Sequence, residues 1–298
     1  MAKKPTDENV VPMSRFRRHG VEETVPEIGA APPPPAYDPI QIAPSGPAVD
    51  LAGKPKIWCL LSSNGGGKTT FARWLIHRVD EGGREQPLLA ALDPGDRSLA
   101  GWFQNVEQPP RSGGASRWLR DYLDTLMAEQ ASAILDFGGG GETALAELLK
   151  TEPGLHAMME QAGVPLVACY PLTPRVTDIF VASGLEAAGF QPAATLLLLN
   201  EGRSDTTRPP EETFADITRH SAFRKMVARG AQVVWLPALD SEVIAEIEKK
   251  RLPFAMARDG QVPEGASFFP IGGLRRSAVG RFLAQTEQRH DRVKTWLL

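Results

Sequence analysis

Between Ile57 and Ile76 the sequence is IWCLLSSNGGGKTTFARWLI. An apolar run, a glycine-rich turn and a helical pattern opening with Lys-Thr-Thr follow one another in this stretch. Glycines let backbone N–H groups turn inward around a phosphate, and the start of a helix adds partial positive charge. The run matches G-x-x-x-x-G-K-[ST] except at its first position, where Ser62 replaces glycine. It therefore predicts a phosphate-binding P-loop between a strand and a helix.

The side chains of this loop have distinct expected tasks. Lys68 should neutralise the β- and γ-phosphates of a nucleotide, and the Thr69 hydroxyl should ligate Mg²⁺. The predicted cofactor-binding set is the continuous run Ser63, Asn64, Gly65, Gly66, Gly67, Lys68, Thr69 and Thr70.

Composition divides the 298-residue chain into two parts. Residues 1–54 are rich in proline and poor in large apolar side chains, so we expect a disordered arm. Residues 55–298 are long enough for one α/β domain. Within the arm, the segment 14–19 (SRFRRH) is a basic cluster that suits nucleic acid or an acidic partner, and equally suits a solvated patch.

Charge and cysteine content exclude some classes of protein. The net charge of −3 gives no general argument for nucleic-acid binding. Cys59 and Cys169 lie in apolar runs and are expected to be buried thiols of a reducing compartment. No apolar run approaches the ~20 residues that span a bilayer, and residues 1–30 lack the apolar core of a secretory signal. The expected location is the cytoplasm.

Apolar runs alternate with helical patterns from residue 56 onward. Predicted strands cover 56–62, 87–92, 131–136, 164–170, 193–199 and 231–236, and predicted helices cover 68–80, 115–129, 142–150, 173–189 and 239–250. Runs such as 193–199 (AATLLLL) show no polar alternation, which is typical of strands covered on both faces. The predicted fold is therefore α/β, a doubly wound and mainly parallel sheet with helices on both faces.

Three polar side chains follow predicted strands, where ligands bind in such sheets. Asp136, followed by the glycines 138–141, could hold Mg²⁺ or cap the next helix. Asp93 could position the attacking water or begin a turn before a proline. The amide of Asn200 could match the edge of a purine base or serve only a turn.

In the order of these parts, residues 56–255 resemble the ParA/MinD family of P-loop ATPases. Ser63–Thr70 matches in part the family's K-G-G-x-G-K-T-T, Asp93-Pro94 matches the end of its D-x-D-P, and Asp136 matches its Walker B acid. Asn200 resembles its adenine-contacting Asn, and Pro237 its late proline segment. The resemblance implies an ATP–Mg²⁺ switch that forms a homodimer with ATP. It makes Lys68 and Asp93 catalytic, Thr69 and Asp136 metal ligands, and Asn200 and Pro237 cofactor-binding.

The main departure from the family is Ser63. The family has a lysine there that reaches a partner's nucleotide, so slow hydrolysis is expected unless an arginine substitutes, and Arg73, Arg97 and Arg111 are conceivable. This loop is similar to that of StbB-like ATPases of plasmid stability and conjugative transfer. The resemblance implies plasmid or DNA segregation, with a protein adaptor and DNA as partners. A regulatory ATPase of a secretion or polysaccharide-synthesis complex, and a metabolic ligase or kinase, are alternatives.

The segment 273–298 ends the chain with six basic and two acidic residues. We expect a basic amphipathic helix. It could contribute to DNA binding, or its apolar side could bind a membrane surface, which is the less favoured partner. The alternative is a last helix that packs on the sheet with a solvated basic face. The apolar residues concerned are Leu274, Phe282, Leu283, Val293, Trp296 and Leu297.

Overall fold

A computed structural model describes residues 49–63, 65–92, 99–138, 140–204 and 207–298. The strands in this part of the chain are β1 (Ile57–Leu61), β2 (Leu88–Ala91), β3 (Val106–Glu107), β4 (Ala133–Phe137), β5 (Leu166–Leu172), β6 (Ala194–Asn200) and β7 (Gln232–Leu236). The helices are α1 (Lys68–Glu81), α2 (Ala115–Glu129), α3 (Gly141–Thr151), α4 (Leu155–Gln161), α5 (Ile179–Ala187), α6 (Pro210–Thr213), α7 (Ala215–Arg219), α8 (Ser221–Ala228), α9 (Ser241–Lys250), α10 (Phe254–Asp259) and α11 (Gly273–Arg289).

The strands form one sheet in the order β3-β2-β4-β1-β5-β6-β7. Every pair of neighbours is parallel. The two strands flanking β1 are aligned so that Leu60 lies opposite Asp136 on one side and Cys169 on the other. The carboxyl end of β1, where the P-loop begins, is therefore at the centre of the sheet. The predicted doubly wound α/β fold is confirmed.

Helices cover both faces of the sheet. Alternate residues of β1 belong to two separate cores, with Cys59 in one and Trp58 and Leu60 in the other. The first core is completed by helices α2 to α5, α7 and α8, and the second by α1 and α9 to α11. Burial on both faces explains why the strands show no alternation of apolar and polar residues.

The folded domain begins earlier than the predicted boundary at residue 55. Leu51 is 2% exposed and packs in the second core. The carbonyl oxygen of Val49 accepts a hydrogen bond of 2.8 Å from the indole of Trp296, and that of Leu51 accepts one of 2.8 Å from the ammonium of Lys56. Residues 49–54 therefore belong to the domain and not to the arm. Their three apolar residues, Val49, Leu51 and Ala52, form too short a pattern to predict this from the sequence.

The C-terminal segment packs on the sheet. Helix α11 ends at Arg289, and residues Asp291–Trp296 continue as a 3₁₀ turn with a kink at Val293. One member of the predicted apolar side, Leu274, is 89% exposed. The other members of that side are buried in the second core: Phe282, Leu283, Val293, Trp296 and Leu297. Most of the apolar side of this segment is therefore taken up by the second core, as in the packed alternative, and is not presented to a membrane surface or DNA.

The helix predicted over 173–189 starts later, with a 3₁₀ turn at Val176–Asp178 and α5 from Ile179. The carboxylate of Asp178 accepts a hydrogen bond of 2.9 Å from the backbone N–H of Thr173, which holds residues 173–178 as a turn. In the described part of the chain no helix is both long and apolar enough to cross a membrane.

Candidate functional site

The loop between β1 and α1 has the backbone of a phosphate cradle. Gly65 and Gly67 have φ angles of +85° and +102°, which residues other than glycine rarely adopt. A β-carbon on Gly66 would lie 2.5 Å from the Ser62 hydroxyl oxygen and 2.9 Å from the carbonyl oxygen of Pro171. Each of these three positions therefore requires glycine, for a strained dihedral angle or for lack of space. Asn64 lies outside the described residues.

Lys68 is the first residue of α1, and its side chain turns back over the loop. Its ammonium donates a hydrogen bond of 2.8 Å to the carbonyl oxygen of Ser62 and lies 3.4 Å from that of Ser63. The residue is only 8% exposed. The helix is preceded by Gly67, which has no side chain to cap the first N–H groups. A buried ammonium and the amides of a helix start thus face the same loop, an arrangement that attracts anions.

Asn200, at the end of β6, braces the loop from the other side. Its side-chain nitrogen donates a hydrogen bond of 2.9 Å to the carbonyl oxygen of Gly66, and its side-chain oxygen accepts one of 3.0 Å from the N–H of Gly202. An amide has two donor hydrogens and two acceptor lone pairs, so one of each is engaged here. The predicted contact with adenine would have to use the others and stays a prediction.

The predicted metal ligands lie on one side of the sheet. Asp136 is the fourth residue of β4 and is 2% exposed. Its neighbours Leu135 and Phe137 belong to the first core, so Asp136 occupies the face of the sheet that carries α1. Thr69 and Thr70 follow Lys68 in the first turn of that helix and are partly buried.

A hydroxyl and a carboxylate are hard oxygen donors of the kind that Mg²⁺ takes together with phosphate oxygens. The residues therefore fit the ion. Among the described residues no cluster of three or more His, Cys, Asp or Glu forms a separate metal site.

Ser63 has partners that the sequence did not indicate. Its hydroxyl donates a hydrogen bond of 2.7 Å to the carboxylate of Asp178, and it accepts one of 3.2 Å from the guanidinium of Arg175. The same carboxylate accepts bonds from the N–H and the hydroxyl of Thr173. The turn after β5 therefore supplies a carboxylate and an arginine to the P-loop. Residues 63 and 175 are remote in sequence, so the pattern of residues held no signal for this contact.

The arginines considered as substitutes for a loop lysine lie elsewhere. Arg73 is 4% exposed, with its guanidinium 3.5 Å from the centre of the Trp102 ring and 4.5 Å from that of Phe254. Burial lowers the pKa of Arg73 to about 10. Because it is enclosed within one layer of the domain, Arg73 cannot reach a partner molecule. Arg111 is exposed in the turn before α2, and Arg97 lies outside the described residues.

A different arginine approaches the loop from the β6 side. The guanidinium of Arg203 would lie 3.9 Å from a β-carbon on Gly65. Arg203 follows Asn200, so the segment that braces the loop also adds positive charge beside it. Sequence reasoning missed this residue as well, although its position within four residues of the end of a predicted strand was a usable signal.

Two further predicted residues complete the set. Pro237 is buried directly after β7, whose last residue Leu236 has a methyl group 3.9 Å from the position of a β-carbon on Gly67. Pro237 thus follows a strand end that borders the loop, and its contact with a nucleotide stays a prediction. Asp93 lies outside the described residues, two positions after the end of β2 at Ala91.

The two cysteines are buried single thiols, as predicted. Burial raises the pKa of Cys59 to about 12 and that of Cys169 well above its usual value. Thiols held in the protonated form are poor nucleophiles, so neither residue supports covalent chemistry.

Solved structures that are similar to this chain include a MinD protein and an FtsY protein. The MinD cell division protein of Aquifex aeolicus is 13% identical, with a TM-score of 0.40, over 77% of this chain and 97% of that one. The signal recognition particle receptor FtsY of Elizabethkingia anophelis, in complex with GDP, is 15% identical with a TM-score of 0.37. That match covers 60% of this chain, which spans only 57% of the FtsY chain. Because these identities and TM-scores are low, neither structure assigns a role to a residue of this chain.

No protein-family model and no curated protein matches the sequence.

Proposed function

We propose that this chain is a P-loop nucleotide switch that binds ATP with Mg²⁺. The observation that carries the proposal is the loop between β1 and α1. Its glycines take left-handed or closely packed positions, and the ammonium of Lys68 lies 2.8 Å from a carbonyl oxygen of the same loop. A loop closed around its own lysine at the start of a helix is suited to holding a chain of phosphates.

Each residue has a task in this proposal. Lys68 neutralises phosphate charge, and the amides of Gly65 to Gly67 and of the first turn of α1 donate to phosphate oxygens. Thr69 and Asp136 hold Mg²⁺, which supplies further charge neutralisation when bound. Asp93 positions the attacking water, and Asn200 and Pro237 border the base. Hydrolysis is slow, because phosphoryl transfer depends on charge stabilisation and Ser63 carries no charge.

The finer role in this proposal is plasmid or DNA segregation or conjugative transfer in the cytoplasm, as in ParA/MinD-type ATPases. The chain would cycle between a monomer and an ATP-bound homodimer and act with a protein adaptor on DNA. The sequence resemblance supports this role. A γ-phosphate beside the glycines that follow β4 could control dimerisation only if those glycines contact the interface.

Calorimetry with the Lys68→Ala variant tests the binding site. Wild type should bind ATP in the presence of Mg²⁺, and the variant should bind at least about a hundredfold more weakly, because a charged contact is worth about 3 kcal/mol. GTP serves as the competing nucleotide. Equal ATP binding by variant and wild type would refute the assignment, and a preference for GTP would refute the adenine prediction alone.

The same variant tests the switch and the role. Sedimentation should show a wild-type dimer with ATP and Mg²⁺ and a Lys68→Ala monomer under all conditions. In the native host, replacing the gene with the Lys68→Ala form should lower plasmid retention or transfer. A wild-type monomer with every nucleotide would contradict the dimer and favour the metabolic alternative.

A further inference from the structure

We propose that Arg175 is a phosphate-binding residue of this site, contacting the terminal phosphate of the nucleotide held by its own P-loop. The inference rests on the proposed function and adds to it a residue that the P-loop pattern does not contain. It begins from the contact of the Arg175 guanidinium with the hydroxyl of Ser63, at 3.2 Å.

Two cations, one from the turn after β5 and one from the loop, meet at Ser63. Arg175 contacts the side-chain oxygen of Ser63, whereas the ammonium of Lys68 lies 3.4 Å from the backbone oxygen of that residue. Both positive charges therefore contact the same residue of the loop, one at its side chain and one at its backbone. Two cations placed this closely can engage neighbouring phosphate groups, and a guanidinium offers a planar pair of donors to phosphate oxygens.

The hydrogen bonds of Ser63 fix the direction of this contact. The Ser63 hydroxyl has one hydrogen and directs it to Asp178 at 2.7 Å, so its oxygen accepts from Arg175. The serine thereby ties the arginine to the loop. The loop has no lysine at position 63, and this hydrogen bond brings a positive charge to that position from the turn after β5.

The arginine is not needed to satisfy Asp178. That carboxylate, 1% exposed, already accepts three hydrogen bonds, one from Ser63 and two from Thr173. The ion pair with Arg175 at 3.3 Å is added to these, and the arginine side chain is 58% exposed. Because three other donors satisfy the buried carboxylate and water solvates the exposed guanidinium, loss of this pair should cost little stability. Asp178 instead orients the guanidinium, whose exposed position at the rim of the loop leaves it accessible to a ligand.

The test compares Arg175→Gln, Arg175→Lys and wild type in their affinities for ATP and ADP with Mg²⁺. Arg117→Gln is the matched control, since Arg117 is exposed on α2, a helix to which no residue of the site belongs. Arg175→Gln should weaken ATP binding about tenfold to a hundredfold, the value of a charge-assisted hydrogen bond. ADP binding should stay within about threefold, and Arg175→Lys should recover part of the loss. The control should match wild type.

Stability and hydrolysis separate phosphate binding from a purely structural role. The free energy of unfolding of Arg175→Gln should match that of wild type, while its ATP hydrolysis rate falls. Equal losses for ATP and ADP, or a loss of ATP affinity matched by a loss of stability, would reduce Arg175 to a brace and overturn the proposal. A loss seen only at protein concentrations that allow dimers would assign the arginine to the partner's nucleotide and also overturn it.

The failure of this inference can be distinguished from that of the proposed function. If wild type binds ATP, Lys68→Ala does not, and Arg175→Gln behaves as wild type for both nucleotides, then the P-loop assignment stands and only the role of Arg175 is refuted. If wild type binds neither nucleotide, both proposals are refuted.

Discussion

Close approach of backbone to side chain is what makes the P-loop sensitive to single residues. The amide nitrogen of Asn200 would lie 2.4 Å from a β-carbon on Gly67, and it bonds the carbonyl oxygen of the preceding Gly66. Gly67 also has a φ of +102°. Backbone strain and steric exclusion would thus both oppose a β-carbon at Gly67. Asn200, considered in the sequence as a contact for the base or as a turn residue, also fixes the shape of the loop.

Gly67→Ala should separate these two effects when it is compared with Gly113→Ala. Gly113 has the same φ of +102°, but no atom lies within 4 Å of its β-carbon position. The Gly113 variant should lose about 1 kcal/mol of unfolding free energy from backbone strain alone. The Gly67 variant should lose about 2 kcal/mol more, because Asn200 must move. It should also lose ATP binding. Chemical denaturation measures the two unfolding free energies, and calorimetry measures ATP binding. Equal losses of unfolding free energy would mean that Asn200 moves at no cost.

How far the site could be predicted depends on the separation of its residues along the chain. Lys68 and the glycines are contiguous, so a pattern could find them. The contact of Ser63 with Arg175 joins residues from two strand ends, and only the pairing of β1 with β5 brings them together. Arg73 was considered because it lies near the loop in sequence. It is turned inward by the helix and lies between two aromatic rings.

At the scale of elements, the C-terminal segment is joined to α1 by an aromatic cluster. The ring of His290 stacks on Phe71, with 5.5 Å between ring centres, and lies 4.5 Å from the ring centre of Trp74. Its Nδ1 donates to the carbonyl oxygen of Thr286 at 2.7 Å, and its Nε2 is buried with no hydrogen-bond partner among the described residues. A proton on Nε2 would be a buried charge, and this burial lowers the pKa of His290 to about 4.

The stability of the domain should therefore fall in mild acid. The unfolded chain takes up a proton at His290 below a pH of about 6.5, whereas the native chain resists protonation until about 4. Stability from this group is complete above 6.5 and is lost as the pH falls through that window. At about 1.4 kcal/mol per pH unit, the loss approaches about 3 kcal/mol. His290→Phe should remove this dependence, as measured by urea unfolding at pH 7 and pH 4.5.

Other groups titrate in the same window, so the measurement is the difference between the two proteins. Burial also lowers the pKa of His77, but His77 is present in both. Parallel pH curves for wild type and His290→Phe would show that the buried imidazole does not set the acid sensitivity.

The elements that were predicted well are those with long, uniform patterns. The six predicted strands match β1, β2 and β4 to β7 closely, because burial on both faces gives them largely apolar runs. The edge strand β3, which pairs with β2, has two residues. It is therefore too short to show any periodicity in the sequence and was not predicted. The short helices α6 to α8 lie between β6 and β7 and depend on contacts with the first core, such as those of Phe214 and Phe223.

For the whole molecule, the parallel order of strands gathers the functional loops at the carboxyl ends of the strands. The P-loop, the turn with Arg175 and the segment with Asn200 follow β1, β5 and β6, which are consecutive in the sheet. At the amino ends of the strands, contacts close the domain instead. There Lys56 donates to the carbonyl oxygens of Leu51 and Thr295, joining the first and last described segments of the domain. The site and the closure of the domain are thus at opposite ends of the strands.

This arrangement predicts that two N-terminal deletions a few residues apart will behave differently. We propose that residues 1–48 act as an interaction arm, so their removal should keep the unfolding free energy and the affinity for ATP while abolishing recruitment of partner or DNA. Removal of residues 1–54 also deletes Leu51, which is 2% exposed, and the acceptor for Trp296 at Val49. That deletion should cost about 3 kcal/mol more.

The comparison needs denaturation curves and ATP titrations on both shortened proteins, with Leu51→Ala in the full chain as the matched control. The control should reproduce most of the additional loss, since it removes the same buried side chain while leaving residues 1–48 in place. Recruitment should weaken with added salt if the basic residues of segment 14–19 make the contact, because counterion release then drives binding. Equal destabilisation by the two deletions would place the start of the folded domain before residue 49. Recruitment that survives both deletions would exclude the arm as the docking element.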